Sequence, residues 1–295
     1  MRKCIVSVLI FSVISGLTAC KKDDVTASDD SILQSNKADI QAYAASKGLT
    51  GSSTNTGVYV AITKAGTSTV TPGNGQEVEY SYSLYTLVRN SSNVVVDSFV
   101  DSTYASKSNY AYLVAANAGL TEGLLRMHEN DQATVIIPSA YAFGSSGSGD
   151  GKVPPNAPVL LNMILKKIRT EDEQINDYMT INKLTPTEVT QSGLRFIKTA
   201  SNSSGVVPGA GQTLNVRYRG TLLRSQSAFD STGTGTYGFT LGLSVPGFDE
   251  GLAKLKVGEK AIIIMPSKLG YGSTGRSVIP PYAPMRFDIE LVSVQ

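Results

Sequence analysis

One stretch of the chain occurs twice, and this repeat limits the possible folds more than any other feature of the sequence. KVPPNAPVLLNMIL begins at Lys152, and SVIPPYAPMRFDIEL begins at Ser277. Two further pairs match in the same order: GNGQEVEYSYSL with GAGQTLNVRYRG, and LTEGLLRMHENDQATVIIPS with FDEGLAKLKVGEKAIIIMPS. The separation of the copies decreases from 136 to 126 residues along the chain, which indicates insertions in the first copy near residues 90–110 and 145–151. The chain therefore contains two domains of similar fold.

Short periodic patterns within each copy predict strands and one helix. Apolar and polar residues alternate in TLNVRYR and in MRFDIEL, which is the period of a half-buried strand. FDEGLAKLKVGEK instead spaces Leu252 and Leu255 by three positions, with acidic residues at its start and Gly258 after it, as in a short helix. Residues 31–47 and 170–182 predict a helical lead-in to each copy. This order of elements predicts an α+β fold with an antiparallel sheet wrapped on a helix.

The first twenty residues predict the export signal of a lipoprotein. Arg2 and Lys3 precede an apolar stretch of the length of a signal peptide, and LTAC ends at Cys20 in the manner of a bacterial lipobox. Cys20 would then be the lipid attachment residue, with the chain anchored in the outer membrane of the cell envelope. A signal peptide with an unrelated cysteine is the alternative. Residues 22–24, KDD, resemble a surface-export signal of Bacteroidetes lipoproteins, so the periplasmic face and the cell surface both stay open.

Composition excludes several classes of function. Cys4 and Cys20 are the only cysteines, so the chain after the lipobox has no disulfide, thiolate metal site or cysteine nucleophile. Without Arg2 and Lys3, acidic and basic residues are equal in number, and no basic patch predicts a nucleic-acid partner. His128 is the single histidine and lies outside any Ser-His-Asp pattern, so we expect a solvated structural role for it.

The second copy resembles the FKBP-type peptidyl-prolyl isomerases along its whole length. The motifs that carry the resemblance are VRYRG, AFDST, FTLG, VPGFDEGL, VGEK, LGYG and VIPPYAPMRFDIEL. The resemblance implies two tandem FKBP-like domains, each a twisted antiparallel sheet wrapped on a short helix, with an apolar pocket between sheet and helix. It also implies no cofactor, no metal ion, and proline-containing unfolded or extended polypeptide segments as partners.

Domain boundaries follow from the motifs and the lead-in helices. We assign a signal peptide to 1–19; the lipidated cysteine, a polar tether and a lead-in helix to 20–49; a degenerate FKBP-like domain to 50–168; a linker with the second lead-in helix to 169–192; and the isomerase domain to 193–295.

Position by position, the resemblance assigns a site to the second copy. It implies catalytic roles for Tyr218, Phe229, Asp230, Tyr271 and Phe287, and substrate binding by Tyr237, Val245, Phe248 and Ile279. The aromatic side chains would hold the proline ring, and Tyr271 would donate a hydrogen bond to the substrate carbonyl. Asp230 would anchor the Tyr218 hydroxyl. Phe248 stands where many family members have Trp, and Ser244 stands where an aliphatic residue is usual.

The same alignment keeps the fold of the first copy but loses most of its site. Tyr82 corresponds to Tyr218, and Asp97 to Asp230. The other replacements are Val96 for Phe229, Leu120 for Phe248, Phe143 for Tyr271, Val153 for Ile279 and Leu161 for Phe287. We therefore expect little or no isomerase activity from this copy.

The last strand of the first copy has an apolar outer face at Leu160 and Ile164, where the second copy is charged. This face predicts coverage by the other domain, the lead-in helix or a partner, through a contact absent from the second domain.

Two functions of different classes fit the sequence. One is a lipid-anchored isomerase of the cell envelope that assists the folding of exported proteins, mainly through its second domain. The other is a non-catalytic holdase chaperone, or a peptide-binding envelope lipoprotein, whose pockets only hold proline-containing segments. Phe229, Asp230 and Tyr271 favour the enzyme, whereas the altered first copy leaves the second function open.

Overall fold

The computed structural model of the chain describes residues 27–103, 108–113 and 118–295. The predicted signal peptide and Cys20, the predicted site of lipid attachment, lie outside the described residues. Across those that are described, we find no helix that combines the length and the apolar character needed to cross a membrane.

The first domain is an antiparallel sheet preceded by a long helix. Its elements are α1 (Ala27–Ser46), β1 (Ser52–Ser53), β2 (Tyr59–Lys64), β3 (Glu77–Arg89), β4 (Val95–Ser102), β5 (Asn109–Tyr112), α2 (Ala118–Leu124), β6 (Gln132–Ile137), a 3₁₀ turn (Ser139–Tyr141) and β7 (Val159–Arg169). The strand order is β1-β2-β6-β7-β3-β4, and β5 pairs with the first half of β3.

The second domain repeats this arrangement. Its elements are α3 (Glu171–Ile181), β8 (Glu188–Val189), β9 (Arg195–Ala200), β10 (Thr213–Leu222), β11 (Ala228–Ser231), β12 (Tyr237–Thr240), α4 (Pro246–Ala253), β13 (Lys260–Met265), a 3₁₀ turn (Ser267–Leu269) and β14 (Met285–Val294). The strand order is β8-β9-β13-β14-β10-β11, with β12 paired to β10. The α+β prediction and the tandem repeat are confirmed.

Each sheet packs one face against its short helix, and a glycine permits the close approach. A Cβ atom at Gly251 in α4 would lie 2.8 Å from the Ile263 side chain on β13, and one at Gly123 in α2 would lie 2.6 Å from Val135 on β6. The buried alternation of β14, with Met285, Phe287, Ile289 and Leu291 directed inward, completes the second core. The period-2 pattern of the sequence therefore sets which face of each sheet is buried.

The lead-in helices cover the opposite faces of the two sheets. Leu160 is 2% exposed and packs with Ile40 and Tyr43 of α1, whereas Ile164 further along the strand is 39% exposed. The lead-in helix is thus the element that covers the apolar face, but only over the half of the strand that contains Leu160.

The expectation that the second domain lacks such a contact is wrong. Ile175 of α3 packs against Ile197 and Ile264 on the corresponding face. Arg286, which takes the place of Leu160, donates a hydrogen bond of 2.8 Å from Nη1 to the Tyr178 hydroxyl of α3. A charged residue on an outer face therefore does not indicate an uncovered face, since its polar end can pair with the covering helix.

Candidate active site

A pocket of about 130 Å³ opens at one end of the second domain, between the sheet and the start of α4. Its walls come from β10, β11, β12, α4, β14 and the segment after the second 3₁₀ turn. The lining residues are Tyr218, Phe229, Asp230, Tyr237, Phe239, Leu243, Ser244, Val245, Phe248, Tyr271 and Phe287. Eight of the nine residues predicted for this site therefore line one cavity.

The floor of the pocket is a cluster of aromatic rings. Phe248 and Phe287 are 6% and 5% exposed, and their ring centroids are 5.2 Å apart. Tyr218 lies 5.4 Å from Phe248, and Phe229 lies 5.5 Å from Phe287, both in edge-to-face geometry. Aromatic pairs favour this geometry and hold one another in place. The walls are therefore rigid, apolar and only partly accessible to water.

Gly220 on β10 makes room for this cluster. A Cβ atom at Gly220 would lie 2.7 Å from ring atoms of both Phe229 and Phe287. Such a separation is below van der Waals contact, so any side chain at this position would displace one ring or the other. Gly220 is thus a positioning residue for two walls of the pocket, and sequence reasoning did not identify it.

The Tyr218 hydroxyl and the Asp230 carboxylate form the polar edge of the pocket. The hydroxyl donates a hydrogen bond of 2.7 Å to Asp230 Oδ2, and Asp230 lies at the exposed rim on β11. Burial, and then the hydrogen bond and negative charge of Asp230, raise the pKa of Tyr218 above its ordinary value. The phenol therefore stays protonated at neutral pH, and its ring is held at a fixed angle against Phe248.

Tyr271 follows the second 3₁₀ turn, which a residue of α3 holds in place. Glu171 in the first turn of α3 accepts hydrogen bonds from Ser267, at 2.5 Å from its backbone nitrogen and 2.7 Å from its hydroxyl. The Ser267 carbonyl in turn accepts from the backbone nitrogens of Gly270 and Gly272, on either side of Tyr271. Within the described ranges the Tyr271 hydroxyl has no hydrogen-bond partner, so it is available to a bound molecule.

Three positions differ from the sequence assignment. Ile279 is 5% exposed and belongs to the core below the loop, so it does not line the pocket. Phe239 and Leu243 do line it, although neither was assigned. Phe239 packs 5.7 Å from Phe248, and its spacing of two from Tyr237 in YGFT was the signal that places both on one face.

The alignment of Asp97 with Asp230 is wrong. In the first domain the Tyr82 hydroxyl donates to Asp101, at 3.3 Å, and Asp101 opposes Leu84 as Asp230 opposes Gly220. The β3–β4 hairpin is seven residues longer than its counterpart, and this length shifted the assignment by four positions. The shared tripeptide DST, at Asp101 and at Asp230, was the signal for the correct register.

Asp97 has a different role, at the contact between the hairpin and the lead-in helix. It accepts a hydrogen bond of 2.9 Å from the hydroxyl of Tyr43, which lies in the last turn of α1. Its Oδ1 atom also lies 3.2 Å from the Nζ atom of Lys47, the residue that follows α1. By the same shift, Val100 rather than Val96 takes the place of Phe229.

The first domain has different side chains at the positions that correspond to the pocket of the second. Leu84 takes the place of Gly220 and is buried in the core, together with Tyr80, which takes the place of Val216. On β5, Asn109 and Ala111 pair with β3 as Tyr237 and Phe239 pair with β10. These replacements join the ones already predicted at the other walls. The fold of the first domain is kept, while the phenylalanine walls of the pocket are replaced by aliphatic residues.

A model of the FKBP-type peptidyl-prolyl cis-trans isomerases matches the chain twice, over residues 68–166 and 205–292. The chain belongs to this family. The human protein named peptidyl-prolyl cis-trans isomerase FKBP9 is 30% identical over 178 residues, which are 59% of this chain and 28% of the human protein. The chain thus spans less than a third of that relative. FPR2 of Saccharomyces cerevisiae is 42% identical over 90 residues, 29% of this chain and 67% of the yeast protein.

One solved structure is similar to part of the chain. The crystal structure of FkpA from Escherichia coli has 30% sequence identity to this chain, and the match covers 43% of this chain and 59% of the FkpA chain, with a TM-score of 0.39.

Among the residues that the structure describes, no three His, Cys, Asp or Glu side chains are grouped as a metal site would require.

Proposed function

We propose that this chain is a peptidyl-prolyl cis-trans isomerase whose second domain carries the reaction. The observation that carries the proposal is the aromatic pocket, with its Tyr218–Asp230 hydrogen bond and, at its mouth, a Tyr271 hydroxyl to which no described residue is hydrogen-bonded. Family membership supports the same function. The substrates are proline-containing segments of unfolded or extended polypeptides.

The reaction needs no nucleophile and no proton transfer. Rotation about the X–Pro bond is opposed by amide resonance, with a barrier of about 18–20 kcal/mol. The planar amide is more polar than the twisted one, because resonance places negative charge on its oxygen. A pocket walled by Phe229, Phe248 and Phe287 solvates the planar form poorly and so favours the twisted transition state.

The polar groups at the mouth orient the substrate. Tyr271 donates a hydrogen bond to a carbonyl next to the proline, while the Tyr218–Asp230 pair holds one wall at a fixed angle. Lowering the barrier by about 5–8 kcal/mol gives an acceleration of roughly 10⁴–10⁶. Shape, desolvation and one or two hydrogen bonds can supply a reduction of this size.

The first domain contributes little turnover under this proposal. Its Tyr82–Asp101 pair remains, but Leu84, Val100 and Leu161 occupy the place of the ring pocket. The counterparts of Phe229, Phe248 and Phe287 are aliphatic there, so a proline ring would meet fewer aromatic side chains.

We place the protein at the outer membrane of the cell envelope, anchored by a lipid on Cys20, where it assists the folding of exported proteins. The support is the signal sequence and lipobox of residues 1–20. Uncatalysed isomerisation of X–Pro bonds takes tens of seconds, which is slow enough to limit folding. A Cys20→Ala variant should move from the membrane fraction to the soluble fraction, and an unchanged distribution would contradict the anchor.

An exchange measurement tests the proposed activity. Two-dimensional NMR exchange on an X–Pro peptide, with and without the full chain, should show faster cis-trans interconversion. A Phe287→Ala variant should lose the acceleration, while Lys268→Ala, at an exposed lysine of the adjacent 3₁₀ turn, should keep it. Peptide binding without acceleration would replace the isomerase by the non-catalytic holdase.

A further inference from the structure

One surface of the first domain contacts two loops that shape the pocket of the second. This surface, here called the clamp, consists of Asn74, Gly75, Glu77, Tyr110 and Tyr112. The two loops are the β10–β11 turn, which leads into Phe229 and Asp230, and the segment between Tyr271 and β14. The family assignment and the pocket residues account for none of these clamp residues.

An ion pair joins the clamp to the β10–β11 turn. Both oxygens of Glu77 accept hydrogen bonds from the Arg224 guanidinium, at 2.5 Å each, and the Glu77 side chain is 1% exposed. The guanidinium also lies over the Tyr110 ring, 3.8 Å from its centroid. Bidentate pairs of this kind fix orientation as well as distance. Arg224 stands five residues before Phe229, so the pair fixes the start of the strand that carries two pocket residues.

The Glu77–Arg224 pair matters for the pocket because of where β11 lies in the sheet. β11 is an edge strand of four residues, and among the described strands it pairs with β10 alone. The β10–β11 ladder is also irregular between Gly220 and Thr221. A short edge strand with an irregular ladder opens readily unless its ends are held.

Tyr282 joins the clamp to the second loop. Its backbone nitrogen donates to the Gly272 carbonyl at 2.9 Å, which ties it to the residue after Tyr271. Its hydroxyl accepts from Asn74 Nδ2 at 3.3 Å, and its ring lies where a Cβ atom at Gly75 would meet it at 2.8 Å.

The backbone of Tyr282 adopts a conformation that bulky side chains rarely take. Its φ is +59°, and the equivalent residue of the first domain is Asn156, with φ of +60°. Asparagine tolerates this region far better than tyrosine. The left-handed backbone at Tyr282 therefore costs conformational free energy, at the position from which the tyrosine ring contacts the first domain.

A third contact holds the lead-in helix of the second domain. Tyr112 packs at the edge of the second hydrophobic core, and its hydroxyl donates to Gln174 Oε1 of α3 at 3.1 Å. Arg169, at the end of β7, pairs with Glu79 at 2.7 Å and with Asp177 of α3 at 2.9 Å. The clamp, α3 and the two loops thus form one connected body.

We propose that the first domain is a positioning element for the site of the second domain, acting through the Glu77–Arg224 pair and the Asn74–Tyr282 contact. This inference rests on the proposed isomerase function of that site. It gives the first domain a role that requires no pocket of its own.

The test uses the full chain with an Arg224→Ala, Tyr282→Asn double variant. The asparagine fits the backbone conformation, so the change removes the contact without adding strain. We expect kcat/KM for an X–Pro peptide to fall by roughly threefold to tenfold, mainly through KM, because loosened walls bind the proline less well. Amide hydrogen exchange should become faster at residues 225–231 and 272–282. A double variant with Arg224→Lys in place of Arg224→Ala keeps the positive charge, so its kcat/KM should fall less.

Gln226→Ala is the matched control, at an exposed residue of the same turn, and should leave both measurements unchanged. A double variant with the exchange rates of the parent chain overturns the proposal, whatever its activity. If the parent chain itself does not catalyse, the proposed function fails, while faster exchange at the two loops still supports the clamp. Faster exchange with unchanged kcat/KM in an active chain overturns the positioning role.

Discussion

The two domains place nearly the same backbone around very different interiors. Both have a tyrosine on the strand next to the edge that donates to an aspartate on the edge strand, at 2.7 Å in the second domain and 3.3 Å in the first. In the second domain the absence of a side chain at Gly220 makes room for the Phe229 and Phe287 rings, which line the pocket. In the first domain Leu84 stands at that position, and Val100 and Leu161 take the places of Phe229 and Phe287, while Tyr82 and Phe143 stay aromatic.

This difference separates the requirements of the fold from those of the pocket. A core tolerates many simultaneous substitutions when total volume and pattern are kept, and the exchange of Gly220 and Phe229 for Leu84 and Val100 is such a substitution. A pocket requires the opposite, because side chains must surround a volume without entering it. The fold therefore persists in both domains, while the pocket depends on a few positions in one.

The largest effect should come from giving the second domain the residue of the first. Gly220→Leu puts a side chain where even a Cβ atom lies 2.7 Å from Phe229 and Phe287. We expect kcat/KM to fall by about a hundredfold or more, because displaced walls no longer fit the proline. NMR exchange on an X–Pro peptide measures this.

Gly220→Ala tests the same prediction in case the Gly220→Leu variant does not fold. It adds only the methyl group and should reduce kcat/KM less, with circular dichroism close to that of the parent chain. Full activity in Gly220→Ala would show that the rings move aside without consequence, and the contrast with Leu84 would lose its meaning.

Tyr271→Phe should have the next largest effect. It makes the second site resemble the first at Phe143 and removes only a hydroxyl. The loss of one substrate hydrogen bond, about 1.4 kcal/mol, predicts a roughly tenfold lower kcat/KM. The reverse change, Phe143→Tyr, should add no activity, because Leu84 and Val100 still fill that site. Equal rates for Tyr271→Phe and the parent chain would remove the hydroxyl from the mechanism.

The sequence was sufficient for the fold and for most of the pocket. Period-2 patterns placed Tyr218 and Phe287 on inward faces, and the helix pattern around Leu252 located α4, because these signals depend on neighbours in the chain. The order of matching motifs then brought Phe229, Asp230 and Tyr271 to the same end of the sheet. Local periodicity accounts for the strand and helix positions, whereas Phe229, Asp230 and Tyr271 were assigned from the resemblance to the FKBP-type isomerases.

Features that depend on lengths and on contacts between distant elements were missed or mistaken. Asp97 was assigned without allowance for the longer β3–β4 hairpin, although the DST tripeptide shared by Asp101 and Asp230 signals the correct register. The role of Gly220 follows from rings on two other strands. The buried position of Ile279 follows from the path of a loop, which no periodicity encodes.

Asp230→Asn tests the polar edge that both domains share. The amide keeps an acceptor for the Tyr218 hydroxyl but loses the charge, so the hydrogen bond becomes weaker. We expect roughly a threefold loss in kcat/KM and a Tyr218 pKa closer to its ordinary value, because negative charge at Asp230 helps to raise it. Ultraviolet titration of the tyrosines follows that pKa. Asp101→Asn, the matched change in the first domain, should leave activity unchanged.

The smallest effect on activity, but a measurable one on stability, should come from Glu259→Gln. This buried carboxylate accepts from Lys198 Nζ at 2.9 Å and from the backbone nitrogens of Lys256 and Asn202 at 2.9 and 3.2 Å. Burial alone would raise its pKa, but these hydrogen bonds lower the pKa of Glu259 to about 2. Asp131 holds the corresponding turn of the first domain by two backbone hydrogen bonds of 2.7 Å.

Because the pKa of Glu259 is lower in the folded chain than in the unfolded one, its contribution is complete above the unfolded pKa of about 4.5 and disappears as the pH falls toward 2. Glu259→Gln should therefore lower the free energy of unfolding by about 1–3 kcal/mol at pH 7 and by less at pH 3. Calorimetry across this range, with Glu188→Gln at an exposed pair as the control, measures the difference. A deficit that does not shrink on acidification would mean that the carboxylate charge contributes nothing, and that only the shape of the turn is shared by the two domains.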